Sequence, residues 1–209
     1  CYKNYGEIMY SKETINHYRE YIDAPWGRLF YRVLHKQIEI SVPSINSADS
    51  KLRILDFGSG FGITSEYFTE KHSIIAIEPN KEMIQNNKGN YEQIIGSINE
   101  LKAISTNTFD CVFCHNVLEY VEIPEEYIIE FIRILKPKGI LSLVCHNLTG
   151  KVISTSVINE NPLKALNYIK NIEYVESDNF GKISYLDFKE LNETIKLNNC
   201  ILKKDFGIR

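Results

Sequence analysis

The sequence is poor in the features that set a chain apart from ordinary globular proteins. No apolar run approaches the roughly 20 residues needed to cross a bilayer. Ile140–Val144, interrupted by Ser142, is among the longest, so no membrane span is expected. No charge of one sign dominates, since 24 Lys and Arg stand against 27 Asp and Glu for a net charge of −3. A global positive field is therefore absent and DNA is not expected as a partner, although a local basic patch stays open. Proline is scarce, 6 in 209 residues, and 44% of the chain is hydrophobic, which excludes a collagen or a disordered tail. Cysteine is limited to five, an odd number scattered through apolar segments, which predicts a reducing, cytoplasmic setting rather than a disulfide framework. Cys1 to Tyr5 carry no apolar core of a signal peptide. A start at Cys1 rather than Met predicts that natural residues precede it.

A chain of 209 residues suffices for one sizeable core and is short for two. Ser41 to Ser50 (SVPSINSADS) is the clearest linker. It divides the chain into residues 1–50, an N-terminal segment that reads as helical from Lys12 to Ile40, and residues 51–209. In the second part short apolar runs recur at Leu52–Phe57, Ser73–Glu78, Glu92–Gly96, Phe109–His115 and Gly139–His146. Helical spacing lies between them: Ile128, Phe131, Ile132 and Leu135 fall on one face of a helix bounded by Pro124 and Pro137. Strands alternating with helices predict an α/β, Rossmann-like fold with a mostly parallel sheet and helices on both faces. Such a sheet puts its ligand site at the carboxyl ends of the strands, just after Phe57, Glu78, Gly96 and Cys114.

Unusual residues stand at those points. Asp56-Phe57-Gly58-Ser59-Gly60-Phe61-Gly62 is a glycine-rich turn after the first strand, suited to close backbone approach to a ligand. Ile63 occupies the place of the third glycine of a dinucleotide fingerprint, so the turn departs from NAD-binding enzymes. Asp56 can accept hydrogen bonds from a cationic ligand or brace the loop. Glu78 ends the next strand, 22 residues after Asp56, where a carboxylate can take both hydroxyls of a ribose. Cys111 and Cys114 would point to opposite faces of their strand, and no second pair completes a zinc site, so no metal is expected.

Ile54–Gly62 resembles motif I of the class I S-adenosylmethionine-dependent methyltransferases. Ile77–Met83 resembles their ribose- and adenine-binding segment, and Ile95–Ile98 the adenine-edge segment, with Ser97 where the family usually has Asp. Asp110–Val121 and Ile134–Leu141 match the segments after strand four and before strand five. The resemblance implies S-adenosyl-L-methionine as cofactor and S-adenosyl-L-homocysteine as product. It implies that Gly58 and Gly60 face the methionine portion, Glu78 the ribose, Pro79 and Met83 the adenine, and Ser97 and the Ile98 amide its edge, with Ser59 a further cofactor-binding residue. Residues 1–50 would then be a helical lid and linker, and 51–209 the catalytic domain. Cys114–Val121 and Leu141–Asn147 are similar to the branch that includes the tRNA carboxymethoxyuridine methyltransferases. That narrower likeness implies a cofactor contact from His115 and from an N-terminal arginine, Arg28 or, failing that, Arg32.

Methyl transfer from a sulfonium is an in-line displacement governed by positioning and exclusion of water. A carboxylate acceptor needs no general base, whereas a hydroxyl or amine does, and His115 and His146 are the candidates. The family's Asn/Asp-Pro-Pro-aromatic turn for nucleobase amines is replaced by His115-Asn116-Val117-Leu118, and no cysteine follows a proline as cytosine C5 methylation requires. The expected function is O-methylation of a carboxylate or hydroxyl on a small molecule or a tRNA nucleoside, by a monomer or homodimer. The alternative is a cofactor-binding sensor or partner subunit without catalysis. Residues 149–185 read as an acceptor-site insertion bearing Lys151, Lys164, Lys170 and Lys182, either a solvated face or an RNA patch. Glu119 and Tyr120 reach the substrate side of the pocket or serve as a helix-start charge and a packing aromatic. His17, His35 and His72 read as structural. Cys200–Phe206 reads as strand six, and with the chain ending at Arg209 no sequence remains for the family's strand seven.

Overall fold

The computed structural model describes residues 11–85, 89–170, 175–177, 181–186 and 188–207. Cys1, the rest of 1–10, and residues 171–174 and 178–180 of the expected insertion lie outside the described residues. Five parallel strands, β1 (Arg53–Phe57), β2 (Ser73–Glu78), β3 (Glu92–Ile95), β4 (Phe109–His115) and β5 (Leu135–Val144), form a sheet ordered β3-β2-β1-β4-β5. The order reverses between β1 and β4, which opens a crevice at the carboxyl ends of those two strands. Apolar residues fill both faces because helices cover both.

On one face Leu55, Phe57, Val112 and Cys114 pack with Leu101 of α5 (Ile98–Ala103) and with Ile128 and Phe131 of α6 (Pro124–Ile134). On the other, Ile54, Cys111 and Phe113 meet Phe68 of α3 (Ile63–Thr69) and Leu34 and Ile38 of the N-terminal segment. Cys111 and Cys114 thus face opposite layers, as the two-residue repeat of a strand dictates.

The N-terminal stretch is two helices instead of one, α1 (Lys12–Asp23) and α2 (Pro25–Ser41). Pro25 is the reason: a residue preceding proline is pushed out of the helical region, and Ala24 adopts φ −66°, ψ 157°. Gly27 lets the helices join closely, since a Cβ there would lie 2.4 Å from the Tyr21 and Ile22 carbonyl oxygens. From α1, Ile15 and Ile22 pack on Phe61 of the glycine turn and on Met83 of α4 (Lys81–Gln85). Among the described residues no helix is long and apolar enough to cross a membrane.

β5 starts at Leu135, earlier than the apolar run from Gly139, because Leu135 pairs with Phe109 ahead of an irregularity in the β4–β5 register. It ends at Val144, which leaves Cys145 and His146 in the following loop. Beyond it come α7 (Leu148–Ile153), a π-helical turn (Ser154–Ile158), α8 (Pro162–Lys170), an antiparallel pair of β6 (Val175–Ser177) and β7 (Gly181–Ile183), and α9 (Phe188–Leu197). Cys200–Phe206 is irregular, a correction to the strand expected there. The Lys203 and Lys204 ammonium groups there donate to the Ser41 and Ile40 carbonyls at the end of α2, at 3.0 and 3.1 Å.

Candidate active site

The glycine turn after β1 is held down on β2. The Gly58 and Ser59 amides donate to the Ile77 carbonyl at 2.8 and 3.2 Å. Gly58, Gly60 and Gly62 take φ of +71°, +55° and +73°, the left-handed region that side chains disfavour. An added Cβ at Gly60 would find only the Met83 Sδ, at 3.9 Å, so the turn leaves open room beside its backbone. Glu78, 3% exposed at the end of β2, accepts the Gly60 amide on Oε2 at 2.9 Å and the Asn80 amide on Oε1 at 2.8 Å. Its carboxylate therefore ties the glycine turn to the start of α4, while burial pushes its pKa up to about 7. Asp56 accepts from the Ser65 hydroxyl at 2.6 Å, and burial pushes it up to about 6. That contact ties the end of β1 to α3, the helix that follows the glycine turn.

Pro79 is half-buried beside this junction, and Met83 is buried beneath α1. Ser97 opens α5 and donates its amide to the Glu100 carboxylate at 2.7 Å, with half-buried Ile98 next in line. The structure brings in residues the sequence reading passed over. Tyr18 of α1 stacks on Phe61 with ring centres 5.9 Å apart, the Arg19 guanidinium lies 4.8 Å over the same ring, and the Tyr18 and Tyr31 hydroxyls are hydrogen-bonded. Burial raises both phenols, and Glu78 and Asp56 add to the rise for Tyr18 and Tyr31 respectively. Only the density of tyrosine in the N-terminal segment hinted at them. Arg28 and Arg32 are exposed on α2.

His115 ends β4 and stacks on Phe113, with ring centres 5.6 Å apart. Its Nε2 meets the Ser142 hydroxyl at 3.0 Å, and burial pushes its pKa down to about 3, so the imidazole is neutral. Across the strand ends, Glu119 stands in the turn Leu118–Tyr120 and is buried. Its Oε1 accepts the His146 amide at 2.9 Å and His146 Nδ1 at 2.6 Å. Glu119 thus sits in the first turn of a short 3-10 helix, buried and paired to the second candidate histidine. His35 and His72 are structural, as expected. His35 stacks on Tyr67, and His72 links the Leu52 amide, at 3.3 Å, to the Ile45 carbonyl, at 2.9 Å.

The chain is similar to known proteins. Residues 55–143 match the family model described as "Methyltransferase domain". A ubiquinone biosynthesis O-methyltransferase of Rickettsia typhi is 29% identical over 157 residues, which is 70% of this chain and 63% of the relative. The mitochondrial ubiquinone biosynthesis O-methyltransferase of Schizosaccharomyces pombe is 25% identical over 95% of this chain and 75% of its own length. A Thermotoga maritima structure titled as an S-adenosylmethionine-dependent methyltransferase superposes with a TM-score of 0.54 at 20% identity, over 88% of this chain and 76% of that one. The last likeness is one of fold. The chain thus spans a little under two thirds of the rickettsial relative's length.

Proposed function

Since residues 55–143 are a methyltransferase domain in a class I, S-adenosylmethionine-dependent fold, we propose that the chain transfers a methyl group to an oxygen acceptor, a hydroxyl or carboxylate on a small molecule or a tRNA nucleoside. The observation that carries the reading is the bond from the Gly60 amide to the buried Glu78 carboxylate at the carboxyl ends of β1 and β2. Each carboxylate oxygen there accepts one backbone amide and keeps a further lone pair, which suits the vicinal hydroxyls of a ribose. The open backbone of Gly58, Ser59 and Gly60 suits the methionine portion, Pro79 and Met83 the adenine faces, and Ser97 and Ile98 its edge. Asp56 supports the turn from behind through Ser65. Arg28 and His115 are the further candidates for the cofactor side, and His146 faces the acceptor side.

When bound, S-adenosylmethionine supplies an electrophilic methyl on a sulfonium. The protein holds the glycine turn and Glu78 in register, keeps water out beneath α1, and presents an acceptor along the line of displacement. Neutral His115 lines the pocket without adding charge to it. Two of the matched relatives are named ubiquinone biosynthesis O-methyltransferases, while another, from Rattus norvegicus, is named a thiol S-methyltransferase; the former names and the lack of the Asn/Asp-Pro-Pro-aromatic turn support oxygen over a nucleobase amine. The acceptor-side segment 149–185, a cytoplasmic setting, and a monomer or homodimer belong to the same proposal.

Calorimetry with S-adenosylmethionine and S-adenosylhomocysteine tests the cofactor half: saturable binding of each is expected, and none overturns the reading. Methyl-labelled cofactor incubated with cell extract, then separated into RNA and small-molecule fractions, tests the acceptor half. Label released by mild alkali marks an ester on a carboxylate; alkali-stable label marks an ether.

A further inference from the structure

Building on the oxygen-acceptor reading, we propose that Glu119 and His146 form a base pair of residues that removes the proton of a hydroxyl acceptor, so that the acceptor is an alcohol or phenol and not a carboxylate. Glu119 is a positioning residue and His146 the group that touches the acceptor. The geometry is specific. One carboxylate oxygen, Oε1, takes two donors from the same residue, the His146 main-chain amide at 2.9 Å and Nδ1 at 2.6 Å. Such a double hold fixes both the backbone and the ring plane of His146. Glu119 is itself anchored, its carbonyl accepting the Ser184 amide at 2.9 Å.

With Nδ1 donating to a carboxylate, the lone pair of the neutral ring sits on Nε2. The Glu119 side chain is 1% exposed while that of His146 is 43% exposed, so the charge is hidden and the working edge of the ring is open. Glu119 Oε2 is buried with no hydrogen-bond partner among the described residues. Leaving a carboxylate oxygen unsatisfied costs on the order of 1–3 kcal/mol, a cost that makes physical sense where negative charge is needed beside a ring about to become cationic. Among the described residues Cys114, Cys145 and Tyr185 also feel Glu119, and all three are driven toward their neutral forms, chiefly by burial. His115 is less suited to the task because Ser142 already meets its Nε2.

The step balances. The acceptor oxygen forms the new O–CH3 bond as the S–CH3 bond breaks, its electron pair going to sulfur, and the hydroxyl proton passes to His146 Nε2. The products are the methyl ether, S-adenosylhomocysteine and an imidazolium facing the Glu119 carboxylate. A carboxylate acceptor has no proton to give at neutral pH and would meet buried negative charge.

The test uses 3,4-dihydroxybenzoate, which offers phenolic hydroxyls and a carboxylate on one ring, with methyl-tritiated cofactor, alongside nitrogen-15 NMR of the histidine ring. Wild type is expected to show His146 as the Nδ1–H tautomer and to form alkali-stable ether. Glu119→Gln should redistribute the tautomers and lower kcat about 10-fold with KM nearly unchanged, and His146→Gln, at an exposed site, should lower kcat by ~100-fold or more. An Nε2–H tautomer in wild type, or the same tautomer in Glu119→Gln, overturns the pair. Alkali-labile ester as the wild-type product overturns the hydroxyl assignment. A wild type that binds cofactor yet labels neither group counts against the oxygen-acceptor reading itself, and the tautomer still decides the pair.

Discussion

Glu78 and Gly60 are joined by a 2.9 Å hydrogen bond that runs from the glycine amide to a buried carboxylate, linking the end of β2 to the turn after β1. One side chain thereby sets the spacing of the two loops on which the cofactor reading rests. Glu78→Ala removes two charge-assisted acceptors and should weaken S-adenosylmethionine binding about 100-fold, roughly 3 kcal/mol. Calorimetry reads this directly, and an unchanged affinity removes Glu78 from the site.

Gly27 tests the junction of α1 and α2. A Cβ there would stand 2.4 Å from two backbone oxygens, which cannot move without parting the helices, so Gly27→Ala should cost about 2 kcal/mol or more. Thermal melts should show the loss, and limited proteolysis should cut within residues 11–41 first. Gly207→Ala, where an added Cβ meets nothing within 4 Å, should melt like wild type.

Asp56 gives stability a pH dependence. Burial raises its pKa from 3.8 to about 6, so the folded protein holds this proton more tightly than the unfolded chain does. Its contribution is full below pH 3.8 and is lost as pH rises through 6. Between pH 4 and 7 the stability of wild type should fall relative to Asp56→Asn by about 2 kcal/mol, at about 1.4 kcal/mol per proton and pH unit. Denaturant unfolding at several pH values measures the gap, and a constant gap contradicts the assignment. Glu78, raised to about 7, acts with the same sign in the free protein.

The cysteines of β4 offer a chemical check. Burial pushes Cys111 up to about 12 and Cys114 well above its ordinary value, and the thiolate is the reactive form. Neither should react with a disulfide reagent in the folded protein, and both should in guanidinium. Half-buried Cys200 sets the comparison, and rapid native labelling of Cys111 or Cys114 speaks against the packing described.

The fold was legible in the sequence because its signals are local. The apolar runs of β2 and β4 are bounded as read, Ser73–Glu78 and Phe109–His115, and helix α6 begins at Pro124. The candidate cofactor residues were legible for a related reason: Gly58, Gly60 and Glu78 stand where a strand ends, and strand ends can be counted. Cys200–Phe206 was misread because a short apolar run says nothing of whether a partner strand offers a ladder. Its lysines found the end of α2 instead.

By itself, then, the sequence determined the alternation of strands and helices from β1 to β5, the crevice side of the sheet and the glycine turn, all consequences of periodicity and backbone conformation within a few residues. Only the tertiary structure decided that Asp56 turns to Ser65, that Tyr18 and Tyr31 meet beneath α1, and that Glu119 holds His146 across 27 residues of chain. Each pairing joins two different elements: Asp56 of β1 to Ser65 of α3, Tyr18 of α1 to Tyr31 of α2, and Glu119 to His146 once β4 and β5 lie side by side. They depend on which face each side chain presents and on burial, which leaves a polar group little choice but to find a partner.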